Sequence, residues 1–221
     1  MTALAGLALV ATCAAAMLDA PLHLLATQSQ LWVFQFLRTV TDAAKSQWYL
    51  VPAALLVLVI GCMNWALLDR RLRATLARHY ADAAFVFVSI AGAGIAVNIV
   101  KQIVGRARPW SFAETGPFAF HPLQFDHAFQ SFPSGHSTDA GAIAMVLMLF
   151  FPRWRVAAFG LLFLLAFARV PAGAHYPSDV VAGFARGLLF TPWLARLAAN
   201  RRVALRPQPP SLLPAVIGIS R

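Results

Sequence analysis

An all-α bundle of six membrane-spanning helices is the fold this sequence predicts, as a single domain with a short interfacial helix. Three observations carry the prediction. Hydrophobic residues make up 60% of the 221-residue chain and charged residues 12%, about half the usual charged share of about 25%. Apolar stretches recur at lengths near the roughly 20 residues that cross a hydrocarbon core. Lys and Arg gather at the ends of those stretches, as they do in the loops of membrane proteins.

The first apolar stretch is Ala3–Leu25. Its Ala14-Ala15-Ala16 resembles a cleavage site, but no Lys or Arg precedes the run, so it reads as a retained first helix rather than a signal peptide or a lipoprotein leader at Cys13. Gln28–Ser46 follows, with Leu31, Trp32, Phe34, Phe36, Leu37 and Val40 spaced for a helix at the membrane surface. Packing of this segment on the bundle is an open alternative. Further spans are Trp48–Leu68, Ala83–Val104, Ser137–Phe151, Val156–Val170 and Val180–Leu197, the fourth and fifth of the six being short. Residues 1–203 form the membrane domain. Pro207, Pro209, Pro210 and Pro214 make 204–221 an irregular tail.

Orientation follows from the basic residues. Arg70, Arg71, Arg73, Arg78, Arg153, Arg155, Arg196, Arg201, Arg202 and Arg206 fall in one set of loops. That places both termini in the cytoplasm of a multi-pass inner-membrane protein, with the loops after spans one, three and five facing the periplasm or exterior. The net charge of +10 is therefore explained without nucleic acid. Cys13 and Cys62 lie in apolar runs and read as small buried hydrophobes, not a disulfide or metal site.

Three stretches carry polar residues that burial does not explain: Lys101–Pro109 (KQIVGRARP), Phe132–His136 (FPSGH) and Arg169–Asp179 (RVPAGAHYPSD). Each falls at the outer end of a predicted span, so three distant segments meet on one side of the membrane. Lys101 and Arg108 are seven residues apart, nearly two turns if the helix continues. With Arg169 they form a cluster of cations that makes sense around a dianion such as phosphate, which arginine grips bidentately. Pro133-Ser134-Gly135-His136 opens the fourth span, and a helix N-terminus binds anions through free N–H groups. Gly135 allows close backbone approach, and the Ser134 hydroxyl adds a donor. Pro177 suits the first turn of the sixth span. Asp179 can then reach back to orient His175 for nucleophilic attack, the role of the acid in a catalytic triad. His136 is the proton donor to the leaving oxygen.

These motifs resemble the signature of the phosphatidic acid phosphatase type 2 superfamily: Lys101 with Arg108-Pro109, then Pro133-Ser134-Gly135-His136, then Arg169, His175 and Asp179 at the family spacings. The resemblance implies a membrane phosphatase acting on a lipid phosphate or pyrophosphate of the undecaprenyl pyrophosphate, phosphatidylglycerophosphate or lipid A type. It implies His175 as nucleophile, His136 as acid and base, and Asp179 as orienting carboxylate. Lys101, Arg108, Ser134, Gly135 and Arg169 hold the phosphate, with no metal and no cofactor. Ala168 stands where the family carries serine, so one phosphate hydrogen bond is lost or supplied by backbone. Transfer of the phosphoryl group to a lipid acceptor uses the same residues. A lipid flippase or transporter on the same scaffold would have no use for His136.

Two features remain. Asp139 and Arg186 are charges inside predicted spans, and a buried pair between them would reduce their cost. The Phe-rich loop Trp110–Phe132 either rests on lipid head groups or packs on the helices as a lid.

Overall fold

The computed structural model describes residues 2–41, 45–200, 205–206 and 215–216. Nine helices run through them: α1 (Thr2–Met17), α2 (Asp19–Gln28), α3 (Trp32–Val40), α4 (Gln47–Gly61), α5 (Arg70–Val104), α6 (Phe112–Thr115), α7 (Gly135–Phe150), α8 (Arg155–Phe167) and α9 (Pro177–Asn200). Beyond them, β1 (Leu205–Arg206) pairs antiparallel with β2 (Ala215–Val216). The remainder of the predicted irregular tail lies outside the described residues. The architecture is otherwise all-helical, as expected.

The first apolar stretch is not one straight helix. It breaks between α1 and α2, whose axes differ by 62°, and Asp19 at the break is fully buried. α5 is longer than the predicted span. Asp69 caps its start, accepting from the Leu72 N–H at 2.8 Å, and the basic segment after it continues the helix to 35 residues, roughly 50 Å. By length and apolarity α5 and α9 can each cross a membrane, and α1 with α2 makes a third crossing if counted as one bent span; α4 and α7 are apolar but shorter. Both cysteines are free, and both are exposed on the bundle surface rather than buried.

α3 packs on the bundle along one side and leaves the other open. Leu37 is buried and Phe34 packs on the core, while Trp32 and Phe36 are exposed. Arg38 fastens it, donating to the carbonyls of Pro171 (2.9 Å), Ala26 (2.8 Å), Thr27 (2.8 Å) and Ser29 (3.1 Å). The last three are carbonyls at the end of α2, where the helix leaves its carbonyls without intrahelical partners.

α7 is the central helix, its residues Ser137–Val146 all buried. It touches α9 backbone to backbone. A Cβ on Gly141 would collide with the Phe184 carbonyl, and one on Gly187 with the Thr138 carbonyl. Gly183 and Gly187 stand four apart, the small-residue spacing that lets membrane helices approach closely. A methyl at Gly187 meets only backbone, so the helices must part. Gly187→Ala is expected to cost about 1–3 kcal/mol as an overpacked interface, read as a lowered unfolding temperature in detergent. An unchanged temperature would show that the contact yields freely.

Candidate active site

The three polar stretches meet at one end of the bundle: the C-terminus of α5, the N-terminus of α7, the turn after α8 and the N-terminus of α9. The contacts that hold them are short. The Ser134 N–H donates to the Asp179 carbonyl at 3.0 Å, and Gly183 lets α9 lie directly against the Ser134 carbonyl. Ser134 is the N-cap of α7 and accepts from the N–H (3.3 Å) and hydroxyl (2.9 Å) of Ser137, which leaves its own hydrogen for another acceptor. His136 sits in the first turn of α7, half-buried.

Lys101, in the last turn of α5, is buried. Its Nζ lies 3.3 Å from where a Gly135 Cβ would be, so glycine there makes room for the ammonium group. The helix does not continue to Arg108. It ends at Gly105, whose φ of +58° is a left-handed cap. Arg108 comes to Lys101 on the loop instead of along a helix face. Its backbone N–H donates to the Ala128 carbonyl at 2.9 Å. Its guanidinium donates to the carbonyls of His127 (3.0 Å) and Ala174 (3.3 Å) and lies 3.0 Å from His127 Nε2.

Arg169 donates to the Thr41 hydroxyl at 3.0 Å. Lys101, Arg108 and Arg169 are close enough for each charge to act on the others. Burial, then the Arg169 charge, pulls the Arg108 guanidinium down to about 10. The Arg108 charge, then burial, lowers His127, so a neutral imidazole faces the guanidinium as acceptor.

The loop between α5 and α7 is anchored through its backbone and leaves large apolar side chains exposed. Its backbone is tied down, with Ala107 N–H to Ala119 O (2.9 Å), His121 N–H to Gly105 O (2.7 Å) and Leu123 N–H to Gln102 O (2.7 Å). Its Trp110, Phe118, Leu123 and Phe125 side chains remain exposed.

His175 and Asp179 are both buried at the start of α9, which begins at Pro177 as its spacing predicts. Asp179 does reach back along the chain, but to the Tyr176 N–H at 2.9 Å. His175 Nδ1 is 3.7 Å from the same oxygen, too long for a hydrogen bond, and makes none in this structure. Burial drives His175 down to about 3, with Asp179 pulling the other way. The imidazole is therefore neutral, the form that can attack an electrophile.

This burial also ties stability to pH. An unfolded histidine takes up a proton below about 6.5, while the folded one resists it to about 3. The contribution is complete above the unfolded value and declines by about 1.4 kcal/mol per pH unit as pH falls between the two. Between pH 7 and pH 5 the unfolding temperature of the native protein should drop more than that of His175→Gln; parallel curves would refute the assignment.

The sequence reading missed four residues. Arg106 Nη1 donates to Asp179 Oδ1 at 2.6 Å and to the Ser178 hydroxyl at 2.8 Å. Its Nη2 lies 2.7 Å from Asp19 Oδ2. Ser131 donates to Asp179 Oδ2 at 2.5 Å. Ser178 donates to Asp19 through its N–H (2.8 Å) and hydroxyl (2.6 Å). Burial opposes the Arg106 charge, but Asp179 and Asp19 more than offset it and hold the guanidinium above its ordinary value. Signals were present: Arg106 lies inside the first motif, and Asp19 is the lone acidic residue among the first 41. Ser178 likewise lies inside the third motif, and Ser131 stands just before the second.

Asp139 and Arg186 do not pair. Arg186 donates to the Ala96 carbonyl at 3.0 Å, while Asp139 lies near Ser46 and within reach of the Lys101 charge. Ala168 is fully buried at the end of α8. Among the described residues no three His, Cys, Asp or Glu side chains gather as a metal-ligand set.

Comparison with known proteins gives this geometry a family. The chain is 46% identical over 108 residues to the lipid A 1-phosphatase of Rhizobium johnstonii, covering 49% of this chain and 44% of that protein. It is 37% identical over 103 residues to the undecaprenyl-diphosphatase BcrC of Bacillus subtilis, 43% of this chain and 48% of that one. It is 30% identical over 103 residues to phosphatidylglycerophosphatase B of the same organism, 42% and 46% of the two chains. The matched stretch thus spans less than half the length of each relative. The crystal structure of a transmembrane PAP2-type phosphatidylglycerolphosphate phosphatase from Bacillus subtilis superposes with a TM-score of 0.60 at 20% identity, covering 90% of this chain and 96% of that one, which fixes the fold. The PAP2 superfamily model matches residues 82–202, the stretch that holds every residue of the three motifs, and the chain belongs to that superfamily.

Proposed function

We propose that this chain is an integral membrane phosphatase that hydrolyses a lipid phosphate or pyrophosphate through a phosphohistidine on His175. The observation that carries the reading is the buried His175 beside Asp179, within reach of the charges of Lys101 and Arg108. A phosphate among Lys101, Arg108 and Arg169 relieves their mutual repulsion. It also meets the N-terminus of α7 at Ser134 and Gly135.

The Nδ1 of His175 faces Asp179, so Nε2 attacks phosphorus. A P–N bond forms, the P–O bond to the lipid breaks, and His136 gives the leaving oxygen its proton. Water then attacks the phosphohistidine, His136 takes up a proton, and the P–N bond breaks to release phosphate. No step requires a metal.

α1 with α2, α4, α5, α7, α8 and α9 supply six crossings in this reading, with both termini cytoplasmic and the site toward the periplasm or exterior. Among substrates, a lipid A type phosphate leads, on the 46% identity to a lipid A 1-phosphatase, ahead of undecaprenyl pyrophosphate and phosphatidylglycerophosphate.

The test is phosphate release by the purified protein in detergent, with a chelator present, from a lipid A preparation, undecaprenyl pyrophosphate, phosphatidylglycerophosphate and phosphatidic acid. Release from at least one, undiminished by the chelator, is the expected result. No release from any of them by folded protein would overturn the reading, and release only when a lipid acceptor is added would make the chain a phosphotransferase.

A further inference from the structure

We propose that Asp19 and Arg106 are positioning residues for the reaction, holding the Asp179 carboxylate in the orientation and charge state that His175 needs. The inference rests on the histidine mechanism above.

Asp179 has two oxygens to share. Arg106 holds Oδ1 at 2.6 Å, and Ser131 and the Tyr176 N–H hold Oδ2 at 2.5 and 2.9 Å. With both oxygens fixed, the carboxylate cannot rotate, and the position left on Oδ2 faces His175 Nδ1 at 3.7 Å. A small movement of the imidazole as phosphate binds closes that gap; catalytic hydrogen bonds are often long before substrate arrives.

Arg106 on its own would be a poor neighbour for this purpose. Its charge would draw the carboxylate's negative charge away from the histidine. Asp19 corrects this from the other side. It takes Nη2 of the same guanidinium at 2.7 Å and is itself held by the Ser178 N–H and hydroxyl. The set Asp19, Arg106 and Asp179 carries one net negative charge, directed at His175. Arg106 is 2% exposed and the two carboxylates are fully buried. Tyr176 stacks on the guanidinium at 4.4 Å and excludes water from it.

Asp19 arrives from the break between α1 and α2. It lies outside residues 82–202, which carry the family match. The first apolar segment is thereby joined to the site, and its 62° bend falls at this carboxylate, whose charge would be costly facing lipid.

A network that merely pins helices together would show the same contacts, so the test is a double-mutant cycle on the full chain in detergent. Native protein, Asp19→Asn, Asp179→Asn and the double variant are compared for kcat and KM on the best lipid substrate, and for inhibition by inorganic phosphate. Asp19→Asn should lower kcat by about tenfold or more, with KM and phosphate inhibition changed less than about threefold. In the Asp179→Asn background the same change should cost less than about twofold, because a residue acting through another loses its effect when that other is gone. Equal losses in both backgrounds, or an Asp19→Asn protein with native kcat, would overturn the inference. Should Asp19→Asn fail to fold, Ser178→Ala removes the hydroxyl that bridges Asp19 and Arg106 without stranding a charge. It enters the same cycle, where a loss confined to the Asp179 background supports the inference and equal losses or a native kcat overturn it. If Asp179→Asn or His175→Ala itself keeps native activity, the histidine mechanism fails and this inference with it; if both lose activity and Asp19→Asn does not, the inference alone fails.

Discussion

His175→Ala should abolish phosphate release, by about 10⁴-fold or more, the scale on which removing the nucleophile of a covalent mechanism acts. The size follows from the site. The cations and the α7 N-terminus can still bind phosphate, so binding of inorganic phosphate should survive. What disappears is the only step in which a bond to phosphorus forms before water enters. His175 is 1% exposed, and the space left by alanine is flanked by buried groups already engaged with one another. Asp179→Asn should cost less than His175→Ala, since the imidazole remains but loses its charged partner. The measurement is initial rate with and without each change, beside unfolding temperatures that show the variants are folded. Residual activity above about a tenth of native in folded His175→Ala would exclude the phosphohistidine.

Arg106→Met should produce the largest loss of stability, about 3–5 kcal/mol, the usual cost of stranding one side of a buried ion pair. Here the loss strands two carboxylates, Asp19 and Asp179, each within 2.7 Å of the same guanidinium. The side chain of methionine can occupy the space against Tyr176 but donates no hydrogen bond to either. Arg106→Lys keeps the charge and loses the fork that reaches Asp179, Ser178 and Asp19 together, so it should fall between Met and native protein. Thermal unfolding in detergent ranks the three. A folded Arg106→Met protein with native unfolding temperature would mean the network contributes nothing to the fold.

The residues that chemistry demands were legible because their types are costly anywhere else. A lysine, two arginines, two histidines and an aspartate at the ends of apolar spans have few structural reasons to be there, and the structure gathers all of them at one end of the bundle. Helix starts were also legible where the signal is local: Ser134 caps α7 and Pro177 opens α9. The misread geometry is long-range. Lys101 and Arg108 meet, but a left-handed Gly105 ends the helix between them. Asp139 and Arg186 are paired in the sequence reading on the cost of a charge inside a span, and the fold gives them different surroundings.

The sequence by itself determined that this is an all-helical membrane protein of the PAP2 type and which costly polar residues gather at one end of the bundle, because hydropathy and residue chemistry are local properties. Tertiary structure alone decided that Asp19, 87 residues from Arg106, stands behind the site, that α7 and α9 meet through glycine, and that Asp179 is shared among Arg106, Ser131 and Tyr176. Those are contacts between distant segments. A buried charge must find its counter-charge wherever the folded chain brings one near, and no spacing along the sequence records where that is.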